Sequence, residues 1–154
     1  MNIGTDSIPE ISREGFQVVS ADMFQHSQRM NVPTATLWIN SISFSKATLV
    51  ALNSCERIRI EVNPQTRCIL IMPVTAKDKD SVKWIKTGKE PTVRKIECRP
   101  FTEQLYEKWG WINDHAYRAT GKIVTADKKV MMLFDFSDPE SWKYKEKAKA
   151  AKNV

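Results

Sequence analysis

Arg57 and Arg59 stand two residues apart in the stretch ERIRIEVNPQTRCILIMPV, residues 56–74. On a strand that spacing sends both guanidinium groups to one side, while Ile58, Ile60 and Val62 fall on the other. Guanidinium forks suit phosphate oxygens and guanine edges. More cations gather just downstream. Residues 77–99 hold eight basic and four acidic side chains, so +4 of the chain's formal net charge of +6 lies there. The partner such a patch calls for is a polyanion. The candidate nucleic-acid-binding residues are therefore Lys46, Arg57, Arg59, Lys83, Trp84, Lys86, Arg94, Lys95 and Arg99, with Trp84 the one ring in the basic run able to stack on a base. Two competing readings remain open. Interleaved Asp78, Asp80, Glu90 and Glu97 also fit a solvated connecting segment, and a lone tryptophan in VKWIK also fits a core anchor.

Other chemistry finds little support. Catalysis by a nucleophile needs a base within reach, and the two histidines, His26 and His115, lie in no recognisable motif. The sequence has no GxGxxG, P-loop or HExxH pattern. Glu103 and Glu107 read as a solvent-facing helix pair. Cys55, Cys68 and Cys98 show no metal-ligand spacing and sit in or beside apolar segments, which predicts reduced core thiols. No catalytic residue, metal or cofactor is expected.

A hydrophobic fraction of 42% and a charged fraction of 27% fit an ordinary globular domain. Without a basic leader before an apolar stretch, or an apolar run near the roughly 18 residues a span requires, the expectation is a soluble, cytoplasmic protein.

The elements that would position the cations can be read in turn. Residues 1–15 are a polar, flexible lead-in. Phe16–Ser20 looks like a first strand, and residues 21–30 suit a short helix poorly. ATLWINSISF, 35–44, reads as extended, with a possible interruption at Asn40-Ser41. Ser45 caps a helix carrying Leu49 and Leu52, and Asn53 takes the left-handed conformation that stops it. Arg57–Val62 and Cys68–Met72 then form a hairpin turning at Asn63-Pro64-Gln65-Thr66, its second strand apolar on both sides and so central in a sheet. The same order recurs over 95–136: an extended KIECRPF, a helix capped by Thr102 and stopped by Gly110, and a second hairpin turning at Ala126-Asp127-Lys128. Gly88 and Pro91 mark the bend between the two runs. Beyond Phe136, Ser137-Asp138-Pro139-Glu140 makes a helix start for a basic helix or tail over 137–154.

The stretch SISFSKATLVALNSCERIRIEVNPQTRCILIMPV resembles the swapped-hairpin DNA-binding unit of AbrB-type and MraZ-type regulators. The resemblance implies two interlocked units whose basic sheet and loop residues follow the major groove. Ser45 stands where that family commonly has Pro, and Asn53 where it commonly has Gly. The phrases SADMF, PTATLW, VTAKDKDSVKW, QLYEKWGW and TADKKVMMLFDF are similar to short bacterial proteins encoded in mobile elements beside serine site-specific recombinases. That likeness spans residues 16–142 and implies a setting, not residue roles.

The expectation is thus an α+β protein in which two successive βαββ units form a barrel-like or swapped-hairpin sheet core. Residues 16–136 make one compact domain, with halves at about 35–76 and 94–136 joined by the basic segment 77–93. The expected function is a non-catalytic DNA-binding accessory or regulator of a mobile element, with DNA as partner, possible contact with a serine recombinase, a possible homodimer and no membrane. The alternative is a protein-interaction module that grips a recombinase or another copy of itself, without nucleic acid, through Trp84 and an exposed apolar edge.

Overall fold

A computed structural model of the chain describes residues 8–20 and 32–144. It is α+β and mostly strand. The strands are β1 (Thr34–Trp38), β2 (Ser41–Phe44), β3 (Arg57–Asn63), β4 (Cys68–Val74), β5 (Val82–Lys83), β6 (Ile85–Lys86), β7 (Thr92–Val93), β8 (Ile96–Glu97), β9 (His115–Ala126), β10 (Lys129–Asp135) and β11 (Glu140–Lys143). Helix α1 (Lys46–Ala51) follows β2, and α2 (Arg99–Trp109) follows β8. One curled, half-barrel sheet runs β5-β3-β4-β10-β9-β1-β2-β8, with β11 also on β9, and β6 and β7 form a separate small ladder. Every pairing is antiparallel.

β9 explains the curl. Its first half pairs with β1 along one edge and with β11 along the other, and its second half pairs with β10. Where the halves meet lies Gly121, whose backbone N–H donates to the Pro33 carbonyl at 2.8 Å. A Cβ there would come within 2.6 Å of Phe134 Cε1, so the sheet folds inward over a residue with no side chain.

The period-two pattern sorts the two faces. Ile58, Ile69, Ile71, Met132, Phe134, Leu37 and Ile42 point inward and are almost inaccessible. Leu49 and Leu52 from the α1 end and Leu105, Tyr106 and Trp109 from α2 cover them. The apolar β4 is central, as expected, between β3 and β10. Its outward Met72 is also buried, at 4% exposure. Trp109 and Trp111 pack in the core at 4.9 Å between ring centroids, and Trp111 stacks on Tyr117 at 3.9 Å. The Tyr106 hydroxyl lies 3.0 Å from the Leu37 carbonyl and 2.6 Å from that of His115, tying α2 to β1 and β9. Burial raises its pKa far above the usual phenol value. All three cysteines are free thiols, and burial pushes the Cys98 thiol up to about 11.

Several local expectations hold. Ser45 Oγ accepts from the Thr48 N–H, and Asn53 has φ 56° after the last turn of α1. Asn63 Oδ1 accepts from the N–H groups of Gln65 and Thr66 in the β3–β4 turn. Gly110 closes α2 with φ 67°. In the β9–β10 turn Asp127 and Lys128 both have positive φ, the conformation a two-residue hairpin of matching twist demands.

Others are corrected. Thr102 does not cap α2, because the helix starts three residues earlier, with Pro100 in its first turn. Thr102 is instead fully buried, and its hydroxyl donates to the Ile39 carbonyl at 2.6 Å. Phe16–Ser20 is exposed and not a strand, and the poorly helical residues 21–30 lie outside the described residues. Glu140–Lys143 forms strand β11 rather than helix, because the first half of β9 offers it an edge to pair with. Residues 145–154 lie outside the described residues.

Candidate nucleic-acid interface

The outward face of β3 is built by alternation alone. Arg57 and Arg59 leave the sheet opposite the buried Ile58, and β5 lays Lys83 directly across from Arg57. Arg57 Nε donates to Ser81 Oγ at 2.8 Å, and no carboxylate among the described residues forms an ion pair with it. Lys83 has Glu56 at 3.9 Å. Arg59 is more fully engaged, with Glu61 and Asp78 each at 2.8 Å. These partners, Glu61 first and then Asp78, raise its pKa. The Asp78 carboxyl is held below its usual range by the Asp80 N–H and then by Arg59. The Arg59–Asp78 contact folds the 75–80 loop over the sheet, which accounts for the buried Met72, whose sulfur lies 2.9 Å from Arg59 Nη2. Lys122 and Lys129 on β9 and β10 belong to this same outward face by register.

The other expected residues are not all in one place. Lys46, exposed in the first turn of α1, borders a hollow of about 460 Å³ with Val32, Thr34, Ser45, Arg118, Thr120 and Glu140. Lys95 lies with its Nζ 4.3 Å above the Trp38 ring. Lys86 and Arg94 are exposed at the β6–β7 ladder, and Arg99 is paired with Glu103 at 2.8 Å on α2. Trp84 does not belong to any binding surface. It is 0% exposed, its indole N–H donates to the Cys55 carbonyl at 2.7 Å, and it packs edge-on against Phe44. A base has no access to that ring. β5 and β6 are only two residues each, and Trp84 between them and Ile85 in β6, both buried, anchor the basic segment to the core.

Reading by sequence missed Trp38, Arg118 and Trp142. Trp142 lies in the stretch read as a basic helix or tail; for the other two the signal was the alternation Leu37 in, Trp38 out and Tyr117 in, Arg118 out. Among the described residues no three His, Cys, Asp or Glu side chains gather as metal ligands. None of the helices among those residues is long and apolar enough to cross a membrane. Comparisons of the chain with family models, with curated proteins and with solved structures return no match.

Proposed function

We propose that the chain is a non-catalytic DNA-binding accessory or regulatory protein, holding duplex phosphates through the outer face of β3 and β5. The observation that carries this is the Arg57–Lys83 pair. Like charges directly opposite each other on neighbouring strands destabilise a sheet, and an anion seated between them removes that cost. Arg59, two residues along on the same face, adds a third cation once Asp78 yields it.

The finer architecture belongs to the same proposal. The order strand, helix, hairpin occurs twice, as β2-α1-β3-β4 and β8-α2-β9-β10. Corresponding strands pair with each other antiparallel, β2 with β8 and β4 with β10, which favours two βαββ units interlocked like a swapped-hairpin pair. The mobile-element setting is proposed on the sequence phrases quoted above.

Fluorescence anisotropy with a labelled duplex, titrated across salt, tests the reading. Three phosphate contacts give a slope of about −2.7 in log K against log salt, a loss of about 40-fold between 50 and 200 mM. The R57Q/K83Q double variant leaves a slope of about −0.9. Absence of binding at the lower salt, or a slope that the double variant does not change, defeats the proposal. A second reading, a module that grips a recombinase or another copy of the chain, is favoured by Ile123 and Val130, exposed at 58% and 51% near the tip of the β9–β10 hairpin. Co-purification that survives nuclease treatment selects it.

A further inference from the structure

We infer that the outward face formed by β11, β9, β1 and β2 is a second site, which stacks unpaired bases of a single-stranded nucleic acid on Trp38 and Trp142. The register builds this face row by row. Glu140, Arg118, Thr36 and Ser43 lie side by side on the four strands, and Thr120 faces Thr34 in the next row. In the row on the other side, Trp142 faces Ala116 and Trp38 faces Ser41, with Ala116 one residue beyond the Leu37–Tyr117 pair. Two indoles thus flank the buried Ala116, with Thr34, Ser43 and Thr120 accessible in the neighbouring rows.

Both rings are partly exposed, whereas Trp84 and Trp109 are buried and Trp111, partly exposed as well, is stacked on Tyr117. Each carries a cation on its face: Lys95 Nζ stands 4.3 Å from the centre of Trp38, and the Arg118 guanidinium carbon 5.0 Å from that of Trp142. Arg118 is held there by Glu140, which accepts from its Nε and Nη2 at 2.9 and 2.6 Å. The hollow shared by Lys46 and Arg118 opens beside this row.

The chemistry selects the ligand. A protein partner would need an aliphatic surface, and the accessible neighbouring outward positions are Thr34, Ser43 and Thr120 instead, Thr36 and Ser41 being buried. A duplex keeps its base faces stacked inside. An unpaired strand offers flat π-faces to the indoles and phosphates to the cations, and base–aromatic stacking tolerates any sequence. When a base arrives, Lys95 and Arg118 leave the rings for the flanking phosphates. This site lies on other strands than the Arg57–Lys83 face and does not depend on it.

The test uses the full chain with a labelled oligothymidylate of about 12 nucleotides and, separately, a duplex. W38A and W142A should each weaken binding of the oligothymidylate by about 5- to 150-fold and leave duplex binding unchanged. R57Q/K83Q should do the opposite, which separates failure of this site from failure of the duplex face. Wild-type affinity in both tryptophan variants, or absence of oligothymidylate binding by the wild type at low salt, overturns the inference. Should the alanine variants lose their folded circular dichroism, acrylamide quenching of the wild type decides instead. Bound oligothymidylate must shield Trp38 and Trp142, and unaltered quenching overturns the site.

Discussion

Replacing Gly121 by alanine tests the account of how the sheet curls. The backbone of Gly121 is not in the left-handed region, so the residue is required for space alone. An added Cβ would stand 2.6 Å from Phe134 Cε1 and 3.0 Å from Met132 Cγ and Sδ. Met132 has flexible torsions and can give way by a few tenths of an ångström. Phe134 is a planar ring at 0% exposure, packed against Phe44 at 5.7 Å, and cannot move without disturbing the core. Overpacking of this kind costs about 1–3 kcal/mol. Alanine also restricts the unfolded chain, which returns about 0.4–1 kcal/mol. The clash wins, leaving a net loss of about 1–2 kcal/mol. For a chain of 154 residues that is about 2–8 °C in melting temperature. Thermal and guanidinium unfolding followed by circular dichroism measure it, and F134L supplies the control. Leucine has no Cε1, so G121A should cost little in the F134L background, giving a coupling of at least about 0.5 kcal/mol. If G121A is as stable as the parent, or costs the same with and without Phe134, the steric explanation of the curl is wrong.

Two further outcomes follow from buried and paired polar groups. Y106F removes the hydroxyl that bridges α2 to the Leu37 and His115 carbonyls, and should cost about 1–3 kcal/mol in denaturant unfolding with an unchanged m-value; a cost below about 0.3 kcal/mol would mean that water replaces the bridge. Acid should weaken the fold through three carboxylates whose folded-state pKa lies below the ordinary 3.8: Asp78 held by the Asp80 N–H, Asp114 by His115, and Asp135 by Ser137. Because these values are depressed, their contribution is complete above the unfolded pKa and is lost as pH falls through the folded values. The denaturation midpoint should stay level down to about pH 5 and drop below about pH 4, less steeply in D135N. A drop already complete by pH 5 would assign acid sensitivity to other groups.

What could be read from sequence was whatever is local. Strict alternation fixed which side chains of β3 face the core, because a one-residue slip would bury Arg57 and Arg59. The stops at Asn53 and Gly110 were legible because left-handed backbone favours those residue types. Thr102 was misread because a threonine before an apolar run resembles a cap; that Pro100 begins the helix earlier and that the hydroxyl serves Ile39, 63 residues away, are facts of packing. Trp84 was ambiguous for a similar reason. Trp84 lies between the two-residue strands β5 and β6, and of residues 77–99 only it and Ile85 are buried, so the segment's composition is set by its wet side. Strand β11 could not be read from SDPESWK, since what makes it a strand is the edge left on β9. Arg118 is separated from Lys46 by 72 positions, and only the β1–β9 pairing brings them to one hollow.

The placement of charge is a consequence of the curl. A sheet bent over helices has a small inner face, and this one is filled with Ile, Leu, Met and aromatic side chains from every strand between β3 and β2. Its outer face is larger, and among the described residues parts of it are buried as well, Met72 beneath the 75–80 loop and Thr36, Ser41, Ala116 and Met131 elsewhere. Along β9 the outward residues are Ala116, Arg118, Thr120, Lys122 and Val124, so the strand carries one cation of the stacking face and, four residues on, Lys122, on the outer surface that continues across β10 and β4 to β3. Four residues of extended chain separate Arg118 from Lys122, about 13 Å. From Lys122 the register crosses three strand spacings, about 14 Å, to Glu61 on β3, and Arg57 lies four residues further along that strand, so the two proposed sites share one continuous outer surface; a forked substrate whose unpaired arm is long enough to span them should bind more tightly than either the duplex or the oligothymidylate alone. Equal affinity for the fork and for the better of its two parts would show that the faces act separately.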